Sequence, residues 1–142
     1  MVQSMLEAAW TKANTGGKTP RIVVADDEKD VNSSKFYDVS STDFLILYIT
    51  SIPPQKPMGL GTGYKEVRQL FTIDVRSGIS RDHHYDIIGE VDRILDVKFL
   101  NPVTGFTHLL PGGWLDHSDK LARLWRHSID VELLNYAVAR GS

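Results

Sequence analysis

The chain has 142 residues, of which 42% are hydrophobic and 24% are charged, and its formal net charge is -2. These values lie near the averages of globular proteins and argue against a disordered, collagen-like or membrane-spanning chain. The absence of cysteine excludes disulfides, thiolate metal sites, iron-sulfur clusters and a cysteine nucleophile. We expect a single domain over residues 1–142 that is made and kept in the cytosol, because its first residues carry no secretory signal.

An amphipathic helix is predicted over residues 2–13. Its apolar side chains recur at steps of three and four and stop at Asn14, shortly before two glycines. Such a stripe must cover a surface, and we expect that surface to be the domain's own sheet, with docking on a partner as the alternative. A short β-branched strand follows over residues 21–25, and acidic residues at 26–30 predict a solvated loop.

Two strands with a long loop between them are predicted in the middle of the chain. Residues 44–52 are apolar almost throughout, which predicts a strand that is buried on both faces or lies centrally in a sheet. Residues 53–63 contain three prolines and three glycines, a composition that we expect to prevent both a helix and a regular ladder. Alternation over residues 67–76 then predicts a strand with one buried face and one mostly wet face. The two strands are expected to pair as a β-hairpin with an extended tip.

A second amphipathic helix is predicted over residues 80–98, with Ser80 as its N-cap. Residues 106–115 are strand-like but interrupted by a Pro-Gly-Gly sequence, and residues 124–138 predict a long closing strand. Together these elements predict an α+β fold. It consists of a small antiparallel or mixed sheet with a long-tipped β-hairpin, flanked by an N-terminal and a central amphipathic helix.

The most suggestive group of chemical side chains is Asp82-His83-His84-Tyr85-Asp86. Imidazoles and carboxylates within one turn can bind a transition metal, so a metal-dependent enzyme using this cluster is one alternative. Helical ligand pairs need a spacing of three or four, however, and only Asp82 and Asp86 have it. The other interpretation is a polar first turn with its carboxylates near the positive end of the helix dipole.

Other catalytic or cofactor sites are not indicated. The glycines at 59, 61 and 63 resemble a phosphate-binding loop, but no Gly-Lys-Ser/Thr follows and the segment leads into a strand. No serine lies in a G-x-S-x-G elbow. We therefore predict no enzyme, with no catalytic residue, no resident metal and no cofactor. A non-catalytic adaptor that binds a peptide at an exposed sheet edge remains a further alternative.

The predicted hairpin carries several cations. If its outward face holds Arg68 and Arg76, both lie on the same side of the strand, and Lys65 lies close by in sequence. One copy would attract a phosphate backbone only weakly, but copies repeated around a ring would line a passage that tolerates DNA without reading its sequence. A solvated strand face is the plainer interpretation of the same residues.

Four segments carry a resemblance to a known family: DFLILYIT at 43–50, VRQLFTIDVRSG at 67–78, YDIIGEVDRIL at 85–95 and LWRHSIDVELL at 124–134. Their order and spacing, behind an amphipathic amino-terminal helix, resemble the tail-terminator and tail-completion (head-tail joining, neck) proteins of tailed phages and related viruses. The resemblance covers residues 2–138 and rests on a pattern of elements, since the family has no catalytic motif to match. The acidic stretch 26–30 and an insertion at 103–118 depart from the simplest family pattern.

This resemblance implies a structural virion protein that forms a homo-oligomeric ring, often hexameric, at the tail end or head-tail interface. The protein would be made in the host cytoplasm and end in the virion, without a membrane. Its partners would be copies of itself, tail-tube or connector proteins, and passing DNA that is contacted non-specifically. On this interpretation we expect contacts with a neighbour or partner at the tip of the hairpin, from Lys56, Met58, Leu60 and Tyr64. Lys65, Arg68 and Arg76 would face the DNA passage.

Overall fold

The computed structural model describes residues 2–25, 39, 42–51, 56–57, 64–99, 108–119, 121 and 124–138. Within these ranges, side chains are described except those of residues 49–51, 56–57, 64–68 and 135–138. No helix in the described part of the chain is long and apolar enough to cross a lipid bilayer.

The first helix, α1, spans Val2–Ala9 and is shorter than the predicted range of 2–13. A short 3-10 helix follows over Lys12–Thr15 and ends at Gly16, whose left-handed φ of 70° suits a residue without a side chain. The α-helix stops early because the Thr11 backbone N–H donates to the carboxylate of Glu90, a residue 79 positions further along the chain. A tertiary hydrogen bond therefore replaces the next turn of helix.

The second helix, α2, spans Arg81–Val97 and confirms the predicted range. Ser80 is its N-cap, because the Ser80 hydroxyl accepts a hydrogen bond from the His83 backbone N–H at 3.1 Å. The apolar side chains at Ile87, Val91 and Ile94 are fully buried, so the periodic stripe in the sequence is the face that meets the sheet.

Six strands form one mixed sheet, which confirms the predicted α+β fold. Five of them lie in the order β1-β2-β4-β6-β5, and β3 pairs with β4 beside this path. β1 and β2 are parallel, and the other pairs are antiparallel. Their bounds are Arg21–Val24 for β1, Phe44–Ser51 for β2, Lys56–Pro57 for β3, Tyr64–Ser77 for β4, His108–Asp116 for β5 and Trp125–Val138 for β6.

The predicted hairpin is present, since β2 and β4 pair antiparallel from Phe44 opposite Arg76 onward. Part of the predicted loop forms a short strand, β3. Lys56 and Pro57 pair with Glu66 and Lys65, so proline and glycine do not prevent a ladder at these two positions. Proline is compatible with this short strand because β3 is paired only with β4 among the described strands. The remaining loop positions lie outside the described residues.

The last two strands form the other end of the sheet. β6 is the predicted closing strand, and it lies between β4 and β5. The Pro-Gly-Gly sequence does not end β5; the pairing with β6 shifts register between Pro111 and Trp114 and then continues. The insertion noted in the sequence thus contributes a strand to the sheet.

The helices cover one face of the sheet. Leu6 of α1 and Val91 of α2 belong to the same buried cluster as Ile73 of β4, so α1 packs on the domain's own sheet as expected. The opposite face of β2 is also buried, because Phe44 and Ile46 pack with Ala25, Val39 and neighbouring side chains. The nearly continuous apolar sequence of β2 is therefore explained by burial on both faces.

Candidate functional site

The predicted contact residues lie around the tip of the hairpin. Lys56 is in β3 opposite Glu66, and Tyr64 begins β4 opposite Val138. Met58 and Leu60 lie outside the described residues, as do the side chains of Lys56 and Tyr64. The backbone pairing brings Lys56 and Tyr64 to one end of the sheet, and their contact role stays a prediction.

Two of the predicted passage-facing cations belong to the same end of β4. The backbone of Lys65 pairs with Ala137, and that of Arg68 pairs with Leu134. Both side chains lie outside the described ones, so their orientation stays a prediction.

The expectation that Arg76 lies on a wet strand face is wrong. Arg76 is 0% exposed, and its guanidinium binds the Asp74 carboxylate, with Nη2 to Oδ2 at 3.2 Å. Alternation along β4 places Thr72, Asp74 and Arg76 on the side opposite the helices, but all three are buried there. The sequence pattern separates the two faces of the strand correctly and gives no information on what covers the second face. A buried Arg76 cannot line a passage in this conformation.

Asp74 is bound by a second guanidinium, from Arg126 on β6, at 2.8 Å. Arg76 and Arg126 lie directly opposite each other in the β4–β6 pairing, so one carboxylate is shared by two arginines on adjacent strands. Asp74 is 1% exposed, and a buried carboxylate needs such partners to offset the loss of water. This trio fixes the register of the two longest strands, which is a structural role.

The Asp82–Asp86 cluster is not assembled as a metal site. His83 Nε2 lies 2.6 Å from Asp43 Oδ2, whereas His84 is directed to Ser77 on β4 and to β6. No group of three or more histidines and carboxylates suited to a metal ion occurs in the described part of the chain. The two histidines thus connect α2 to two different places in the fold, and nothing in this geometry favours the metal-dependent alternative.

His84 and His127 form a buried pair that sequence reasoning missed. His84 Nε2 lies 2.8 Å from His127 Nδ1, and His84 Nδ1 lies 2.9 Å from the Ser77 hydroxyl. His127 Nε2 is 3.7 Å from the carboxylate of Asp116, which is 60% exposed. Burial, followed by the nearby His127, lowers the pKa of His84 from 6.5 to about 4.

The series Ser77, His84, His127 and Asp116 resembles the serine, histidine and aspartate groups of a hydrolase active site. Ser77 is 0% exposed, however, so no substrate can reach its hydroxyl in this conformation. The two hydrogen bonds of His84 instead connect the start of α2 with β4 and β6, and Asp116 of β5 lies 3.7 Å from His127. The only sequence signal for this arrangement is a serine and a histidine on either side of the predicted N-cap, and neither one specifies His127.

The outward backbone groups of the two edge strands, β1 and β5, have different partners. Among the described strands, β1 pairs only with β2, and β5 pairs only with β6. At the β1 end, Gln3 of α1 donates to the Ile22 carbonyl, and the side chain of Val24 is 59% exposed. At the β5 end, the outward Leu109 N–H donates to the Phe99 carbonyl, and Pro111 has no N–H to offer. Each edge is thus partly covered within the described residues, the β1 edge by Gln3 and the β5 edge by the Phe99 carbonyl and Pro111.

Comparison with known proteins assigns no family, because no protein-family model and no curated protein matches the chain. We therefore base the function on the fold and on the residues described above.

Proposed function

We propose that this protein is a structural, non-catalytic component of a tailed virus that forms a homo-oligomeric ring at the tail end or head-tail interface. In this proposal the ring is a hexamer, and DNA passes through its lumen. The protein is made in the host cytoplasm and then built into the tail or neck of the virion. Its partners are copies of itself and the adjoining tail-tube or connector proteins.

The observation that carries the proposal is the pair of unlike sheet ends. A surface patch that meets a different patch on the next copy gives a head-to-tail contact, and such contacts close into rings when the rotation allows it. The β1 and β5 ends differ in strand direction, in length and in the groups that they expose, as this contact requires. The order of elements, which resembles that of tail-terminator proteins, supports the same interpretation.

In this proposal Lys65 and Arg68 supply the positive charge of the lumen, without Arg76. Two cations per copy, repeated around a ring, give a belt of charge that attracts the phosphate backbone whatever its sequence. The absence of base readout suits a passage through which the whole genome must move.

Size-exclusion chromatography with light scattering, followed by negative-stain electron microscopy, tests the ring. We expect a mass that is a multiple of 15.9 kDa and annular particles with a central opening. A strict monomer from micromolar to millimolar concentration, with no assembly when a tail-tube protein is added, would contradict the proposal. A monomer that instead binds an extended peptide along β1 would favour the adaptor alternative.

The hairpin tip is tested separately by replacing Met58 and Leu60 with serine. We expect the double variant to fold normally and to lose binding to the neighbouring protein or to the next copy. Leu121→Ser is the matched control, because Leu121 is 99% exposed on the β5–β6 connection at a different place in the fold. Equal binding by both variants would remove the contact role from the hairpin tip.

A further inference from the structure

The two ends of the sheet expose side chains of opposite charge. At the β1 end Lys18 and Arg21 are exposed, and no ion pair joins either side chain to another described residue. At the other end a groove of about 460 Å3 lies between α2 and β5. Two exposed carboxylates, Asp92 and Asp96, line this groove.

The groove has an apolar floor below its carboxylates. Leu95 is buried, Phe99 is 40% exposed, and Pro111 of β5 completes the lining. Asp92 accepts a hydrogen bond from Trp114 Nε1 at 2.8 Å, which holds α2 against β5 at this point. A carboxylate pair above an exposed aromatic ring suits an arginine or lysine side chain, whose head binds the carboxylates while its stem covers the ring.

The positive charge within the groove is already neutralised. Arg93 also lines the groove, but its guanidinium binds the carboxylate of Glu90 and the carbonyl of Ala9. Because this ion pair contributes no net charge, the groove keeps the negative charge of Asp92 and Asp96. The negative charge of the groove is therefore not cancelled by Arg93.

One copy cannot bring its own two ends together. Four strand spacings separate β1 from β5, which amounts to roughly 19 Å at the usual distance between neighbouring strands. Direct strand addition at β5 is disfavoured by Pro111 and by the Leu109 N–H, which already donates to Phe99. A contact between the two ends can therefore form only between two copies, and at β5 it would involve side chains.

We propose that the groove between α2 and β5 of one copy receives Arg21 and Lys18 from the β1 end of the next. The guanidinium of Arg21 binds Asp92 and Asp96 and lies over Phe99, and Val24 adds apolar contact beside it. This inference rests on the proposed ring and identifies the surfaces through which it closes. The contact is head-to-tail, since each copy offers a basic end and an acidic groove.

Charge reversal tests the contact on the full-length chain, in the condition that gives the wild-type ring. Arg21→Asp and Asp96→Arg are each expected to weaken association at least tenfold, because like charges then face each other at the interface. Arg81→Asp and Asp86→Arg are matched controls, since both residues are exposed on α2 outside the groove lining. Circular dichroism and thermal unfolding establish that each variant is folded, and Arg21→Gln and Asp96→Asn replace any variant that is not.

Mixing the two reversed variants gives the sharper result. In an alternating ring, the new carboxylate at position 21 of one variant meets the new guanidinium at position 96 of the other, while the remaining interfaces are wild type. An equimolar mixture is therefore expected to restore a ring with an even number of copies, although each variant alone associates at least tenfold more weakly than the wild type.

The outcomes separate this inference from the ring itself. A wild-type chain that never assembles contradicts both. A wild-type ring that is unaffected by Arg21→Asp and Asp96→Arg contradicts the groove contact and leaves the ring intact. Two weakened variants that fail to assemble when mixed contradict the head-to-tail pairing of these ends.

Discussion

Gly78 shows how a single position can be restricted to one residue type. It joins β4 to the N-cap of α2, and a Cβ atom added there would lie 2.6 Å from both the Val39 carbonyl oxygen and Val39 Cγ2. Contacts this short with backbone cannot be relieved by rotating a side chain. The segment around Val39 must therefore move if Gly78 gains a methyl group.

Gly78→Ala is expected to destabilise the fold by about 1–3 kcal/mol, the usual cost of overpacking a closely packed site. Chemical denaturation measures the change in the free energy of unfolding. Gly89→Ala is the matched control, because a Cβ atom at Gly89 has no atom within 4 Å and alanine favours helix. Equal losses at both positions would contradict a specific contact with Val39.

His84 makes stability depend on pH. Its pKa is about 4 in the folded protein and near 6.5 when the chain is unfolded, so the unfolded state binds the proton first as pH falls. The groups facing His84 from the packed elements are Ser77, His127 and the carboxylate of Asp116, with His83 beside it on α2. The part of the stability that requires a neutral His84 is therefore fully present above pH 6.5 and decreases between pH 6.5 and 4.

His84→Gln keeps hydrogen-bonding groups and removes this titration. We expect the wild-type protein to lose up to about 3 kcal/mol more stability than the variant between about pH 7 and 4, following the size of the pKa shift. Urea denaturation at a series of pH values measures the difference. Parallel stability curves for the two proteins would show that His84 does not carry the effect.

At the scale of elements, the start of α2 is stabilised by its N-cap residue, Ser80. Ser80→Ala removes the side-chain acceptor for the His83 N–H and is expected to cost about 1 kcal/mol, whereas Ser80→Asp should largely retain the cap. Thermal or urea unfolding measures both changes. A loss in Ser80→Asp as large as that in Ser80→Ala would show that the hydroxyl has another role.

The elements that could be predicted are those whose ends are set by nearby residues. α2 has its cap and its apolar stripe within one stretch of sequence, so its range was predictable. The end of α1 is set by Glu90, which is distant in sequence and invisible to any local pattern. The same limit applies to β5, where pairing with β6 continues the strand through a Pro-Gly-Gly sequence that locally indicates a break.

At the scale of the whole molecule, DNA binding tests whether Lys65 and Arg68 line the lumen of the ring. Lys65→Gln with Arg68→Gln is expected to leave the ring mass unchanged and to weaken retention of double-stranded DNA. The dependence of binding on salt should also become less steep, because fewer phosphate contacts release fewer counterions. Fluorescence anisotropy over a salt series measures this change, with Arg81→Gln as the exposed control. Unchanged DNA binding would place the passage elsewhere.

The candidate site was predictable only in part, because its contacts join residues that are far apart in sequence. Alternation along β4 assigns Arg76 to a face, but burial of that face depends on segments far away in sequence. The acidic groove needs α2 and β5 side by side, and the histidine pair joins residues 43 positions apart. Such contacts follow from topology, which local sequence patterns do not specify.

The position of β6 has a consequence for synthesis on the ribosome. β6 lies between β4 and β5 although it is the last described strand along the chain. Until it emerges from the exit tunnel, β5 has no neighbour in the sheet and the long flank of β4 is bare. From the synthesis of β4 until β6 is available, the nascent chain thus exposes unpaired strand backbone, which can pair with other chains and favour aggregation.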